Sequence, residues 1–227
     1  MNQITAIFDF ILPRICPACS KTLHSKEQVI CATCFKEIKR TSADLIESEF
    51  KRKFAEEKII ADFIAPFVFE NEKALQQLIH QLKYNNRFRL GIYLGKKLAK
   101  LTKAKVMEWE ADCIVPIPLH PAKKAERGYN QADFIAKGIA KELSVAMLKN
   151  GIKRNINTPT QTKLNLEERR ENMENAFEVN TKKVVGKKII LLDDVITTGS
   201  TMRSCAIELL NKGAQKVYGL SVAIADI

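Results

Sequence analysis

From residue 61 onward the apolar positions fall into short unbroken runs and helical stripes that follow one another along the chain. Phe63 to Phe69 alternates and contains Pro66, which fits an edge strand because proline donates nothing to a ladder. Glu72 to Lys83 places Leu75, Leu78, Ile79 and Leu82 on one helical face. Leu94, Leu98 and Leu101 form the next apolar side, opposite Lys96, Lys97 and Lys100. Asp112 to Leu119 reads as a buried strand whose exit, Pro116-Ile117-Pro118, is stiffened by its prolines. A helix then opens across Lys123 to Gln131, with Ile135, Ile139 and Leu143 inward. Ile189 to Leu192 fits a strand covered on both faces, as in a parallel sheet. Met202 to Leu210 is helical and stops at Lys212-Gly213, a usual C-cap; Lys216 to Ala225 is a last apolar strand. This succession predicts an α/β domain, a mainly parallel sheet flanked by helices.

Three stretches break the pattern. Met1 to Leu12 has helical apolar spacing but no cationic start, and Asp9 interrupts it, so it reads as an amphipathic helix and not a signal peptide. Thr41 to Ile60 is charge-rich and reads as a linker carrying a short helix. Ile152 to Phe177 is rich in Thr, Asn and Gln, which suits a mobile loop closing over substrate, then a short helix from Leu166. The chain accordingly divides into 1–40, an N-terminal helix and cysteine module; 41–60, the linker; and 61–227, the α/β domain.

Composition adds a preference for partners. With 46% hydrophobic and 28% charged residues in 227, the chain is of globular character. Its net charge of +11 favours anions such as nucleotides, pyrophosphate or nucleic acid. No apolar run approaches the roughly 20 residues of a membrane span, and a cytoplasmic location is expected, without membrane insertion.

Four of the six cysteines fall in one window, as Cys16-Pro17-Ala18-Cys19 and Cys31-Ala32-Thr33-Cys34. Two such pairs complete a tetrahedral thiolate site, so Cys16, Cys19, Cys31 and Cys34 are expected to hold a structural Zn²⁺. The alternative, two disulfides, is disfavoured in a reducing compartment. His24, inside the loop, is expected in solvent; Cys113 and Cys205 are expected in the core, and Trp109 is expected to pack.

The stretch with the most chemistry is Ile189 to Thr201. A buried strand runs into Asp193-Asp194 where it is expected to end, then into Thr197-Thr198-Gly199-Ser200-Thr201 and a helix. Small residues there let backbone N–H groups converge on an anion, and the helix N-terminus adds partial positive charge. The chemistry is that of a sugar-phosphate cradle, with the carboxylates left for ribose hydroxyls or a hydrated Mg²⁺. A plain capped turn is the alternative. Arg127 and Gly128, at the expected opening of a helix, form a candidate anion grip, and Lys83 is a candidate ligand contact.

Taken in order, these pieces resemble the ComF family of competence proteins (ComFC, ComF and GntX-like). The resemblance rests on the Cys-x-x-Cys pairs, Lys83-Tyr84, Val115-Pro116-Ile117-Pro118-Leu119 and Arg127-Gly128-Tyr129-Asn130-Gln131. It continues through Arg154, Gln161, Arg169, Asn172 and Ala176-Phe177 to the run from Asp193 to Thr201. Tyr129 departs from the phenylalanine common in the family, and the 41–60 linker is unusually long and charged. The resemblance implies a class I phosphoribosyltransferase-like domain that uses phosphoribosyl pyrophosphate (PRPP) with Mg²⁺ and an unknown nitrogen acceptor. By the same resemblance Asp193 and Asp194 hold ribose hydroxyls, Thr197 to Thr201 the 5′-phosphate, and Lys83, Arg127 and Arg154 screen the pyrophosphate. It also implies natural competence and DNA uptake, with single-stranded DNA and the competence helicase machinery as partners. Alternatives are a DNA-handling transformation factor, for which Phe88, Tyr93 and Tyr129 would offer stacking, or a PRPP or nucleotide sensor without transferase activity.

Overall fold

Parallel strands carry the molecule. The computed structural model describes residues 13–54, 59–154 and 176–225. In it β1 (Phe63–Ile64) and β2 (Phe67–Phe69) share one edge of a sheet, followed by β8 (Lys216–Ala225), β7 (Lys188–Ile196), β3 (Cys113–Pro116) and β4 (Ala146–Met147). Every pairing in this sheet is parallel. β1 and β2 keep one register on β8, with Phe63 opposite Gly219 and Phe67 opposite Ala223, so they are one strand interrupted at Ala65-Pro66. Pro66 lies on the edge, as expected. The outer side of that edge is partly covered: the Thr41 N–H donates to the Pro66 carbonyl (3.1 Å) and the Val68 N–H to the Lys39 carbonyl (3.0 Å).

The central strands are apolar on both faces, which is why they read as unbroken runs. Ile114, Ile190, Leu192, Leu220 and Val222 face α3 (Ala74–Tyr84), α4 (Phe88–Glu108), α6 (Gln131–Leu143) and the cysteine module with its α1 (Ala32–Glu37). Cys113, Val115, Ile189, Leu191 and Val217 face the opposite layer. That layer holds α8 (Ser200–Asn211), an antiparallel pair β5 (Ile152–Arg154) and β6 (Phe177–Val179), α7 (Thr181–Val184) and the end of α2 (Ala43–Phe54). α4 and α6 meet backbone to backbone. A Cβ on Gly95 would lie 2.1 Å from the Ile135 carbonyl oxygen, and one on Gly138 would lie 2.3 Å from that of Ile92.

Some expectations change. The helix expected to open at Lys123 is two helices: α5 (Pro121–Arg127) closes on Gly128, which is left-handed (φ 72°), and α6 starts afresh. Asn130 caps α6 by accepting from the Ala132 N–H, and this side-chain cap lets a new helix begin so soon. Leu101, expected on the apolar side of α4, is 38% exposed. Trp109 packs as expected, stacked on Tyr218, and its indole N–H also donates to Asp62 (3.0 Å). Cys113 and Cys205 are buried and His24 is exposed. The expected helix at Met1 to Leu12 lies outside the described residues, as does the body of the expected covering loop, residues 155–175 with Gln161, Arg169 and Asn172.

Candidate active site and metal centre

β3 stays paired to β7 only as far as Pro116 opposite Leu192, and the Ile117 N–H closes the ladder on the Leu192 carbonyl (2.9 Å). Past that point β7 keeps β8 alone. The chain leaves β3 toward β4 on one side and leaves β7 toward β8 on the other. A crevice therefore opens at the carboxyl ends of β3 and β7, the switch point where open α/β sheets bind ligands. Asp193 and Asp194 stand there. The strand expected to end at these acids runs on to Ile196, because β8 continues beside it with Val195 opposite Ala223. The acids thus mark the end of β3's pairing and not the end of β7.

Successive strand residues leave on opposite faces, and the carboxylates meet different surroundings. Asp194 follows Ile190 and Leu192 toward α3, where Lys83 Nζ lies 2.7 Å from its Oδ2. Burial pushes the Asp194 carboxyl up, but the Lys83 ammonium outweighs it and holds the group below the ordinary carboxylate range. Asp193 follows Ile189 and Leu191, and its Oδ1 accepts from the Asp194 N–H (2.8 Å). Burial, then the neighbouring Asp194 charge, push its carboxyl well above the ordinary value. Cys205, buried in α8, is pushed up chiefly by burial and also feels the charges of Asp193 and Arg154.

After β7 comes the hydroxyl loop. Thr197, Thr198 and Ser200 are exposed, and Thr198 Oγ1 stands 3.1 Å from Ser200 Oγ. Gly199 occupies the N-cap of α8 in a left-handed conformation (φ 78°), with no side-chain cap. Among the described residues, the Ser200 N–H approaches only Thr198 Oγ1, at 3.4 Å. Such a terminus, with donors little used and hydroxyls outward, can hold a phosphate.

Arg127 ends α5 and does not open a helix, so its charge comes to the crevice beside α3. The guanidinium lies over the Tyr84 ring (5.1 Å to the centroid) and reaches the Tyr84 hydroxyl and Gln131 Oε1, each at 3.3 Å. Its Nε is buried with no acceptor among the described residues, and so is Nε of Arg154, which lies over Phe177 (5.5 Å). Lys83 meets Asp194 in the crevice, Arg127 packs on Tyr84 next to Lys83, and Arg154 lines the neighbouring cleft. That cleft, of about 530 Å³, adjoins the crevice at the exit of β3, bounded by Pro116, Pro118, Gly128, Asn130 and Lys153 among others.

Several supports have roles that the sequence does not spell out. The Tyr129 hydroxyl donates to the Leu82 carbonyl, tying the end of α3, and so Lys83, to the Arg127 turn. Asn130 donates to the Ile117 carbonyl (2.8 Å) and holds the proline loop. Lys53 of α2 donates to the Thr197 carbonyl, and the Phe54 ring lies against Gly199. The motif Arg127 to Gln131 singled out Tyr129 and Asn130; nothing set Lys53 apart within a charged run.

The cysteine module lies on the α3 and α4 face. A short turn, with the Ser20 N–H donating to the Cys16 carbonyl (2.9 Å), presents the first pair, and Cys31 caps α1 to present the second. The Cys16, Cys19, Cys31 and Cys34 sulfurs all lie within 4.8 Å of one another, and Cys19 and Cys31 are 3.8 Å apart. Tetrahedral Zn–S bonds of about 2.3 Å put sulfurs about 3.8 Å apart, so the four are positioned to hold a metal ion. Burial pushes the Cys16 thiol up, but the N–H groups of Cys31, Cys19 and Ala18 outweigh it and bring it to about 7.

The phosphoribosyl transferase domain family matches residues 94–225. Competence protein F of Haemophilus influenzae is 30% identical over 92% of this chain and 96% of its own length. DNA utilization protein YhgH of Escherichia coli strain K12 is 32% identical over 70% of this chain and 67% of its own. Among solved structures, glutamine phosphoribosylpyrophosphate amidotransferase from Bacillus subtilis is 22% identical over 58% of this chain and 26% of its own, with a TM-score of 0.43.

Proposed function

The chain belongs to the ComF family and carries a phosphoribosyltransferase domain, and from that premise we propose that it binds PRPP in the β3–β7 crevice and transfers ribose 5-phosphate to a nitrogen acceptor during DNA uptake. The observation that carries this reading is the pair of guanidinium Nε atoms, Arg127 and Arg154, each buried without an acceptor among the described residues. A buried cationic donor without a partner is costly, and a bound polyanion relieves that cost.

In the reaction the bond from ribose C1 to the pyrophosphate oxygen breaks and its electrons leave with pyrophosphate. A nitrogen lone pair then closes on the oxocarbenium-like C1, and the nitrogen gives up its proton. No protein nucleophile is needed; the work is positioning and charge neutralisation. Asp193 and Asp194 accept the 2′- and 3′-hydroxyls, and Thr197 to Thr201 hold the 5′-phosphate. Arg127, Arg154 and Lys83 neutralise the leaving group, Lys83 exchanging part of its attraction to Asp194 for the new anion. Mg²⁺, when bound with PRPP, supplies further neutralisation of pyrophosphate, and Asp193 and Asp194 are the carboxylates available to its hydration shell. The cysteine site takes Zn²⁺ as a structural ion, in keeping with a cytoplasmic protein.

Calorimetric titration with PRPP and Mg²⁺ tests the reading, with Asp193→Asn plus Asp194→Asn expected to weaken binding at least about tenfold. Unchanged binding by the double variant would remove the carboxylate roles. Pyrophosphate release in the presence of candidate bases or amines tests transfer itself.

One observation favours a second reading, contact with single-stranded DNA. A groove of about 500 Å³ between the cysteine module and α4 is lined by Lys26, Lys36, Lys96, Lys97 and Lys100, with Glu27 and Glu142, around Phe35 and Tyr93. Lys97 Nζ lies 5.0 Å from the Phe35 ring centroid and 5.3 Å from that of Tyr93. Cations beside aromatic faces suit a stacked, phosphate-linked strand. Affinity for an oligonucleotide should fall steeply between two salt concentrations; a flat response would exclude this surface.

A further inference from the structure

We propose that Lys53, from the charged segment between the cysteine module and the α/β domain, is a positioning residue for the phosphate loop; the inference rests on the reading of that loop as the 5′-phosphate site. The Lys53 side chain is 2% exposed. Its ammonium has two acceptors among the described residues, Glu49 Oε2 at 2.8 Å and the Thr197 carbonyl. Glu49 is shared, since Arg52 also holds it at 2.7 Å. Burying an ammonium is expensive unless it is paired and hydrogen-bonded, and this one is fastened both to Glu49 and to the first residue of the hydroxyl loop.

The contact is reciprocal. Arg203, one turn into α8, donates to the Lys53 carbonyl (3.0 Å), while Lys53 donates to the residue leading into α8. Phe54 completes the clamp: a Cβ on Gly199 would lie 2.9 Å from its ring. Gly199 is thus held by its left-handed backbone and by the ring behind it. The ammonium draws the Thr197 carbonyl toward α2 and leaves the N–H groups and hydroxyls that follow facing outward, the arrangement an anion needs. Sequestered behind the loop, Lys53 adds positive potential in a setting where water screens little. The phosphate end of the crevice is therefore built partly from outside the residues 94–225 matched by the transferase family.

The test uses the full chain with zinc bound and ribose 5-phosphate as the probe, followed by calorimetry. Lys53→Met keeps the length of the side chain and removes the donor. Affinity for ribose 5-phosphate should fall tenfold or more, while pyrophosphate with Mg²⁺, held at the Arg127 side, should change less than threefold. Lys53→Arg should recover most of the lost affinity. Equal weakening of both ligands would reduce Lys53 to a fold-stabilising residue, and unchanged ribose 5-phosphate binding would overturn the inference outright. If the methionine variant does not fold, Lys53→Gln decides: it keeps a polar donor but removes the charge and shortens the reach to the loop, so it should weaken ribose 5-phosphate selectively, and no selective effect would count against Lys53. Failure of the unaltered protein to bind ribose 5-phosphate would instead defeat the reading of the loop.

Discussion

At the scale of residues, two adjacent carboxylates have been given opposite proton affinities. Asp194 is kept low by Lys83 against the pull of burial, and Asp193 is pushed high by burial and by Asp194. The unfolded value is about 3.9 for both. Because the native Asp194 value is depressed, its stabilising contribution is complete above about pH 4 and fades as pH falls through that lower value. Lys83→Met removes the cause and leaves burial, which raises the native value and reverses the slope. The variant should lose on the order of 3 kcal/mol at pH 8 and less at pH 5, measured by denaturant unfolding at the two pH values. Asp193 contributes in the other direction: the folded state prefers it protonated, an advantage present below about pH 4 and lost as pH rises through its elevated value. A ligand that needs both carboxylates ionised must expel that proton. Titrations with PRPP in buffers of different ionisation enthalpy should report net proton release that grows as pH is lowered, and no release at any pH would mean that Asp193 is already ionised.

Among the elements, the core strands were readable because both faces of β3, β7 and β8 are apolar. The pairing order was not, since nothing in Lys216 to Ala225 distinguishes a central strand from an edge. The split between α5 and α6 depends on Gly128 and the Asn130 cap, a local competition that apolar spacing at Ile135, Ile139 and Leu143 does not register. For the candidate site, the Asp193-Asp194 pair and the hydroxyl loop are contiguous and announced themselves. The contacts of Lys53 with Thr197 and of Tyr129 with Leu82 depend on tertiary placement, which neither the charged run nor the Arg127 to Gln131 motif specifies. Small residues tell a similar story: Gly95 and Gly138 look incidental in helical stripes, yet they set the distance between α4 and α6. Gly138→Ala drives a methyl into the Ile92 carbonyl and should cost about 3 kcal/mol. Thermal unfolding should show a midpoint about 6–12 °C lower, and an unchanged midpoint would mean that the helices part without penalty.

For the molecule as a whole, the cysteine module and the sheet are one packing problem. Phe35 meets Phe67 of β2 and Tyr93 of α4 edge to face, at 6.1 and 6.4 Å, so the four-cysteine cluster stands next to the sheet's outer strand. Elemental analysis should find one zinc per chain, and Cys31→Ser with Cys34→Ser should abolish it; retention of zinc by that variant would place the metal elsewhere. Residues 39–41 have a less obvious duty. Their hydrogen bonds to Pro66 and Val68 occupy backbone groups that would otherwise invite a foreign strand, while the far margin of the sheet, β4, is only Ala146–Met147. Trimming the chain to start at Asp62 would uncover that border. Such a fragment should self-associate in light-scattering measurements even at modest concentration, an outcome that would make the removed 61 residues a guard against aggregation for the domain they precede, and a monomeric fragment would deny them that duty.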